Sequence, residues 1–315
     1  MAFARIAPVL MTLATCLVFV PPVDGGFGLG PPRPSAIAMT ADIVVIGKVI
    51  EIEPEAVEAI PHGNRPPAPK GAADKPRIPK VPYKIAVLKI EEPLIGAKGL
   101  TRLRVGYADG PAAAKVAPAA RAGNIGLSAG DEGCYFLTRH SSGEFYIPQQ
   151  GYGVAPLLKS RTDYDAELAR VKVVVKAIND PVSALKAKVV DDRFIAAQTI
   201  LTRNARLVPT HDAAGQPVTQ DLPAEENKLI LDLLLELPWA PKGGPPGNLS
   251  YAPPSRSVLW PLVGADKFGF QAPKERRARP GQSPPDVAKQ WEDATTAFLK
   301  DNRDKIKLQK PVAAK

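Results

Sequence analysis

The feature that most constrains this chain is its longest β-branched run, residues 41–53, Ala-Asp-Ile-Val-Val-Ile-Gly-Lys-Val-Ile-Glu-Ile-Glu. Isoleucine and valine favour extended backbone, and the first half of the run has consecutive apolar side chains instead of alternating ones. This pattern predicts a strand that is buried on both faces. Gly47 lies in the middle, where a bulge or sharp bend would let one strand pair on two sides of a barrel.

Four further strands are predicted downstream, each bounded by turn residues. They cover residues 83–91, 101–107, 134–140 and 144–148. An alanine-rich stretch that could form a short helix separates the third predicted strand from the fourth. Five short strands with a helix at this place have the count and order of an OB-fold barrel. We therefore predict an OB-like β-barrel over residues 41–158.

The pattern changes near residue 163, where apolar residues begin to recur at helical spacing. The predicted helices cover residues 165–178, 182–207, 227–237 and 287–298. Proline- and glycine-rich connections lie between the later ones. These helices predict an α-helical domain over residues 163–310. The expected fold class is α+β, a five-stranded OB-like β-barrel followed by an α-helical domain.

The N-terminus resembles a secretory signal peptide, predicted over residues 1–25, followed by an irregular segment at 26–40. Its apolar core is short for a membrane span, and no later stretch reaches spanning length. Cys16 is followed by Leu-Val-Phe-Val, which argues against a lipoprotein processing site because such a signal normally ends at its cysteine. The expected location is therefore periplasmic or secreted.

Composition limits the classes of function. The hydrophobic fraction of 45% suits a globular protein with a real core. The mature chain would keep one cysteine, Cys134, so no internal disulfide is expected. A net charge of +9 suits an acidic polymer or an anionic surface as partner. No basic and aromatic signature accompanies the charge, which argues against a dedicated nucleic-acid role.

Two groups of basic residues are candidates for polyanion binding. Arg102 and Arg104 alternate on one face of the third predicted strand. The second group lies in a proline-flanked loop and consists of Lys274, Arg276, Arg277 and Arg279. A solvated loop without a ligand is the alternative for this second group, since short charge runs usually have no partner.

Three patterns resemble catalytic sites, and each has a simpler interpretation. Ser128 lies in a Gly-x-Ser-x-Gly match, but a turn and a strand are predicted after it, where a nucleophile elbow needs a helix. Cys134 and His140 share a strand face but are separated by about 20 Å of extended chain, so Cys134 is interpreted as a core residue. The acidic pairs at 191–192 and 225–226 are interpreted as surface ion pairs or first-turn helix charges.

Metal and cofactor sites are not predicted. The histidines, His62, His140 and His211, lie in separate segments without ligand spacing, and no cysteine pair accompanies them. The glycines at 26–30 lack the spacing and the preceding strand of a dinucleotide loop. We therefore expect neither a metal nor a cofactor, and no catalytic residue is assigned.

The first domain resembles the netrin-module and metalloproteinase-inhibitor branch of OB-folds. The resemblance rests on Ala-Asp-Ile-Val-Val-Ile-Gly-Lys-Val at 41–49, the strand at 83–90, Leu-Ile-Gly at 94–96 and Leu-Ser-Ala-Gly-Asp-Glu-Gly-Cys-Tyr-Phe-Leu at 127–137. It covers residues 41–154, and the helical half looks like uncharacterised bacterial secreted proteins. In the inhibitors of this branch an N-terminal cysteine chelates the protease zinc, and this chain has no matching residue or disulfides.

The sequence thus favours an exported, non-enzymatic interaction protein of the cell envelope, whose partner is an unknown protein or acidic polymer. Two alternatives stay open. One is a secreted or periplasmic hydrolase with an unrecognised site, and the other is a protease inhibitor that uses barrel loops.

Overall fold

The structure is a computed structural model, and it describes residues 33–61, 79–108, 126–149, 156–212, 215–240, 254–273 and 286–312. Its strands are β1 (Ile43–Ile52), β2 (Val57–Ala59), β3 (Val81–Ile95), β4 (Arg102–Ala108), β5 (Glu132–Arg139), β6 (Tyr146–Pro148), β7 (Leu157–Leu158), β8 (Thr219–Asp221) and β9 (Gln309–Pro311). Its α-helices are α1 (Pro34–Ala38), α2 (Tyr164–Asn179), α3 (Pro181–Leu185), α4 (Val190–Arg206), α5 (Ala224–Glu236), α6 (Arg256–Val263) and α7 (Val287–Asn302).

Five of the strands close into a mixed β-barrel in the order β1-β3-β4-β6-β5, and pairing between β1 and β5 completes the ring. The pairs are antiparallel except for β4 and β6, which run parallel at Val105 and Tyr146. The short strands β2 and β7 are not part of this ring; β2 pairs with β3 and β7 pairs with β5, both antiparallel. The predicted α+β fold, a five-stranded barrel followed by a helical region, is confirmed.

Strand β1 is buried on both faces over its first half, as its sequence predicts. Ile43 and Val45 pack with apolar residues of the other barrel strands. Val44 and Ile46 point the other way, into a second apolar cluster. That cluster joins the barrel to the helices α1, α2 and α4 through Ile37, Met39, Val171, Val174 and Ile195. The barrel and the helical region therefore share one apolar core at this wall.

Gly47 lies at the point where β1 pairs with two neighbours. It is opposite Ile90 on β3 and Gly133 on β5, and the β1–β3 register shifts between Ile46 and Gly47. A Cβ atom at Gly47 would lie 2.4 Å from the carbonyl oxygen of Lys89. Only glycine permits this close approach of two strands.

The helical region differs in detail from the prediction. The predicted helix over 182–207 is divided into α3 and α4, and residues 186–189 form the break. Helical periodicity marked the buried faces on both sides, but it carries no signal for a turn between them. Helix α6 lies in a part of the chain where no helix was predicted, and Pro34–Ala38, in the segment expected to be irregular, forms the short helix α1.

A further core, separate from the cluster at the barrel wall, fills the helical region and is built mainly by α4, α5, α6 and α7. The three tryptophans of the chain, Trp239, Trp260 and Trp291, gather at its side. Trp239 and Trp291 stack with ring centroids 4.8 Å apart. Among the helices that the structure describes, none is long and apolar enough to cross a membrane.

Candidate functional site

A row of basic side chains crosses the outer wall of the barrel, from β1 through β3 to β4. The strand registers place Lys48 directly opposite Lys89, and Lys89 directly opposite Arg102. Directly opposed residues of neighbouring antiparallel strands point to the same face, with Cβ atoms about 5 Å apart. We call Lys48, Lys89 and Arg102 the basic row. It brings three cations together from three separate strands.

Only one end of the basic row is neutralised by the protein. Lys48 donates through Nζ to Glu132 Oε1 at 2.7 Å, and Lys159 binds the other oxygen of this carboxylate at 3.2 Å. These hydrogen bonds lower the pKa of Glu132. Lys89 and Arg102 are exposed and form no ion pair with any residue that the structure describes. Like charges directly opposite are unfavourable, so this pair favours an anion from outside.

Arg104 lies on the same face as Arg102, but its charge is already matched. Its Nε and Nη2 atoms donate to the two carboxylate oxygens of Glu53, at 2.7 and 2.6 Å. This bidentate geometry is the strong form of an arginine–carboxylate contact. It lowers the pKa of Glu53 and raises the pKa of Arg104. Of the two arginines that the sequence singled out, only Arg102 remains available to a partner.

Replacing Arg104 with glutamine is expected to raise the pKa of Glu53 towards its ordinary range, as measured by NMR titration of the Glu53 carboxyl. The folded-state pKa of Glu53 is depressed, so the pair stabilises the fold above the unfolded-state pKa, and this contribution is lost as pH falls through the folded-state pKa. Because both side chains are partly exposed, the loss in free energy of unfolding is below about 1 kcal/mol. Arg102→Gln is the control and should leave the Glu53 pKa unchanged; an unchanged value in R104Q would contradict the assigned cause.

The sequence singled out neither Lys89 nor the grouping of these three residues. Lys48, Lys89 and Arg102 belong to three different strands, and only the strand register places them side by side. Alternation within residues 83–91 gave no signal for this position, because it places Lys89 on the same face as Tyr83, Ile85 and Val87. The other predicted polyanion group, Lys274, Arg276, Arg277 and Arg279, lies outside the described residues.

The opposite end of this wall is covered by an aromatic cap around His140. The ring of His140 stacks on Phe145 with centroids 4.4 Å apart and contacts the edge of Tyr83. Its Nδ1 accepts from the backbone N–H of Ser142 at 3.1 Å, and its Nε2 lies 3.1 Å from the carbonyl oxygen of Ile60. These partners select the neutral tautomer that carries its proton on Nε2. His140 therefore holds the segment after β2 against the barrel.

Cys134 belongs to a different cluster from His140. It is fully buried between the barrel and the helices, beside Phe136 and Leu157. Burial raises the pKa of the Cys134 thiol to about 12, so the reactive thiolate is not formed near neutral pH. The structure thus places Cys134 as a core residue and does not bring it together with His140 as a thiol–imidazole pair.

Ser128 lies in a turn that leads directly into a strand. Its backbone N–H donates to Asp131 Oδ2 at 2.8 Å, and Asp131 N–H donates to the Ser128 carbonyl at 3.1 Å. The chain then enters β5 instead of a helix. The strand–serine–helix geometry of a nucleophile elbow is therefore absent at this described turn.

The remaining acidic candidates lie at helix starts. Asp191 and Asp192 occupy the first turn of α4, and Glu225 and Glu226 occupy the first turn of α5, where the helix dipole favours negative charge. Glu225 also forms an ion pair with Lys186. Within the described ranges, no three histidine, cysteine, aspartate or glutamate side chains gather in a way that could hold a metal ion.

The class of protein that the fold defines is an α+β chain with a five-stranded mixed β-barrel at its N-terminal side and a helical region after it. Comparisons with protein-family models, with curated proteins and with solved structures give no match.

Proposed function

We propose that this chain is an exported, non-enzymatic binding protein of the cell envelope that holds an acidic polymer on the basic row. The observation that carries the proposal is the direct opposition of Lys89 and Arg102 without a carboxylate partner among the described residues. The net charge of +9 favours the same class of partner at longer range. The signal-like residues 1–25 support the envelope location.

The position of the basic row in the barrel gives further support. Counted along the ring, β3 and β4 are the second and third barrel strands. In OB-folds the face of these two strands binds oligonucleotides and oligosaccharides. An acidic oligosaccharide chain suits this mode of binding and the charge of Lys89 and Arg102. We favour it over a nucleic acid because no basic and aromatic signature accompanies the charge in the sequence. The OB-like and netrin-like character of the barrel is part of the proposal, and the ring order supports it.

The proposal predicts how the protein elutes from a heparin column, heparin being an acidic polysaccharide. The double variant Lys89→Gln, Arg102→Gln is expected to elute at lower salt than the parent protein, because two unpaired cations are lost. In a counterion-release description, the slope of log affinity against log salt falls by about 2. Heparin affinity measured at several salt concentrations gives this slope.

The matched control is Lys176→Gln, Lys228→Gln, which removes two exposed cations from α2 and α5. It should elute like the parent protein. A second comparison is Arg276→Ala, Arg277→Ala, Arg279→Ala. Loss of retention in that variant with parental behaviour in the barrel variant would assign polymer binding to residues 274–279 and overturn the proposal for the basic row.

The two other functions suggested by the sequence can be separated from this one. A protease inhibitor that uses barrel loops would inhibit a metalloprotease after its N-terminus is changed, and heparin would not be required. A hydrolase would turn over a substrate. The described geometry of Ser128 and the protonated thiol of Cys134 favour neither as a nucleophile.

A further inference from the structure

A cavity of about 230 Å³ lies in the helical region, on elements that do not contribute to the basic row. Residues of α2 and α4, of the segment around Leu222, of the first turn of α5 and of β9 form its walls. We call it the α4 cavity. Ile178, Ile200 and Leu222 give it an apolar side. Concave sites with an apolar wall and a few converging polar groups are the usual form of small-molecule sites.

Arg203 supplies the first polar group. It is half-buried in the wall, and its described hydrogen bonding is a single contact from Nη1 to the carbonyl oxygen of Met39, at the long distance of 3.5 Å. Burial lowers the pKa of Arg203, although it stays charged at neutral pH. A guanidinium has five N–H donors in a fork that suits a carboxylate. Most of those donors have no partner among the described residues.

Asn204, the next residue of α4, supplies a second donor. Its Nδ2 atom is buried and has no hydrogen-bond partner among the described residues. A buried amide that is left unpaired is unfavourable, and native proteins rarely retain one without a reason. Arg203 and Asn204 both line the cavity. An acceptor bound there would satisfy both of them.

The other charged groups set the net charge of the site. Lys310 of β9 adds a second cation and forms no ion pair with the residues that the structure describes. Glu226 is the one carboxylate in the lining, and burial raises its pKa while the charge of Lys310 opposes the rise. Within the lining, two cations therefore face one carboxylate that is partly desolvated, while Asp42 acts on Arg203 from outside the lining. This balance favours an anion.

We infer that the α4 cavity binds a small aliphatic carboxylate, with its carboxylate group on Arg203 and Asn204 and its chain against Ile178, Ile200 and Leu222. The volume of about 230 Å³ equals that of about eight water molecules at about 30 Å³ each. A carboxylate of roughly six carbons has this size. The inference is independent of polymer binding on the barrel, since no residue is shared.

Isothermal titration of the full chain with hexanoate tests the inference, with 1-hexanol and inorganic phosphate as probes of the apolar and the anionic part alone. We expect saturable hexanoate binding, at least tenfold weakened in Arg203→Gln and unchanged in Lys188→Gln, an exposed cation just before the start of α4 and outside the lining. Hexanol and phosphate should each bind at least tenfold more weakly than hexanoate. Thermal melting of each variant checks that it is folded.

Glu226→Gln provides a readout that a loss of folding cannot imitate. Removing the one carboxylate from the lining should tighten hexanoate binding several-fold. Absence of saturable hexanoate binding would overturn the inference, as would equal affinity in the parent protein and R203Q. Phosphate binding as tight as that of hexanoate would also overturn it, because the apolar wall would then have no role.

Discussion

Replacing Arg256 with methionine is expected to lower the free energy of unfolding by about 4 kcal/mol. Arg256 is 2% exposed and connects two helices. Its Nε and Nη2 atoms donate to the carbonyl oxygens of Leu234 and Leu237 at the C-terminus of α5, at 2.6 and 2.9 Å. Its Nη1 donates to the hydroxyls of Thr295 and Thr296 on α7, at 2.8 and 2.7 Å.

The physical reason for this large effect is the loss of several buried partners at once. Helix C-termini leave carbonyl oxygens without partners, and their dipoles compensate a positive charge. Methionine fills much of the volume but leaves these oxygens buried and unpaired, and each unpaired group costs about 1–3 kcal/mol. Urea unfolding followed by far-UV circular dichroism and by tryptophan fluorescence measures the change.

The control for Arg256 is Arg303→Gln. Arg303 forms an ion pair with Asp232 on α5, and both side chains are more than a third exposed, at 37% and 39%. Its replacement should change the free energy of unfolding by less than about 1 kcal/mol. Equal effects of the two substitutions would show that the buried position of Arg256 has no special role.

Replacing Gly47 with alanine is expected to destabilise the fold by about 3 kcal/mol. The added Cβ atom would lie 2.4 Å from the carbonyl oxygen of Lys89 and 3.2 Å from the Leu88 side chain. The closer neighbour is backbone, so relief requires β1 and β3 to separate. Strand β1 is also paired with β5, and a shift away from β3 therefore strains the opposite side of the ring.

Gly126→Ala is the matched control, since Gly126 is exposed and a Cβ atom there meets nothing within 4 Å. It should leave the free energy of unfolding within about 0.5 kcal/mol of the parent value.

Tryptophan fluorescence adds a second readout for Gly47→Ala, because the three tryptophans lie beside the helical core while Gly47 lies in the barrel. The shared apolar cluster predicts that fluorescence and circular dichroism report coincident transitions. A circular-dichroism transition that occurs at lower urea concentration than the fluorescence transition would contradict this coupling.

The candidate site could be predicted from the sequence only in part. Arg102 and Arg104 were recognised as outward-facing, because alternation along a strand is a local property. Local alternation does not predict which side chains form ion pairs. In the structure Arg104 is paired with Glu53, while Arg102 lies opposite Lys89. The α4 cavity was not predicted, because its polar groups come from α4, α5 and β9, which lie apart in the sequence.

The fold class and the burial of β1 follow from the local pattern of residues along the chain. Consecutive apolar residues from Ile43 to Ile46 leave neither face of a strand suited to water, so a layer had to cover each side. Which layers cover them was decided only by the tertiary structure, with the barrel interior on one face and α1 and α2 on the other. The hydrogen-bond partners of Arg256 and the grouping of the basic row also depend on the tertiary structure. Periodicity is a property of neighbours in the chain, whereas strand register and helix contacts depend on residues far apart in it.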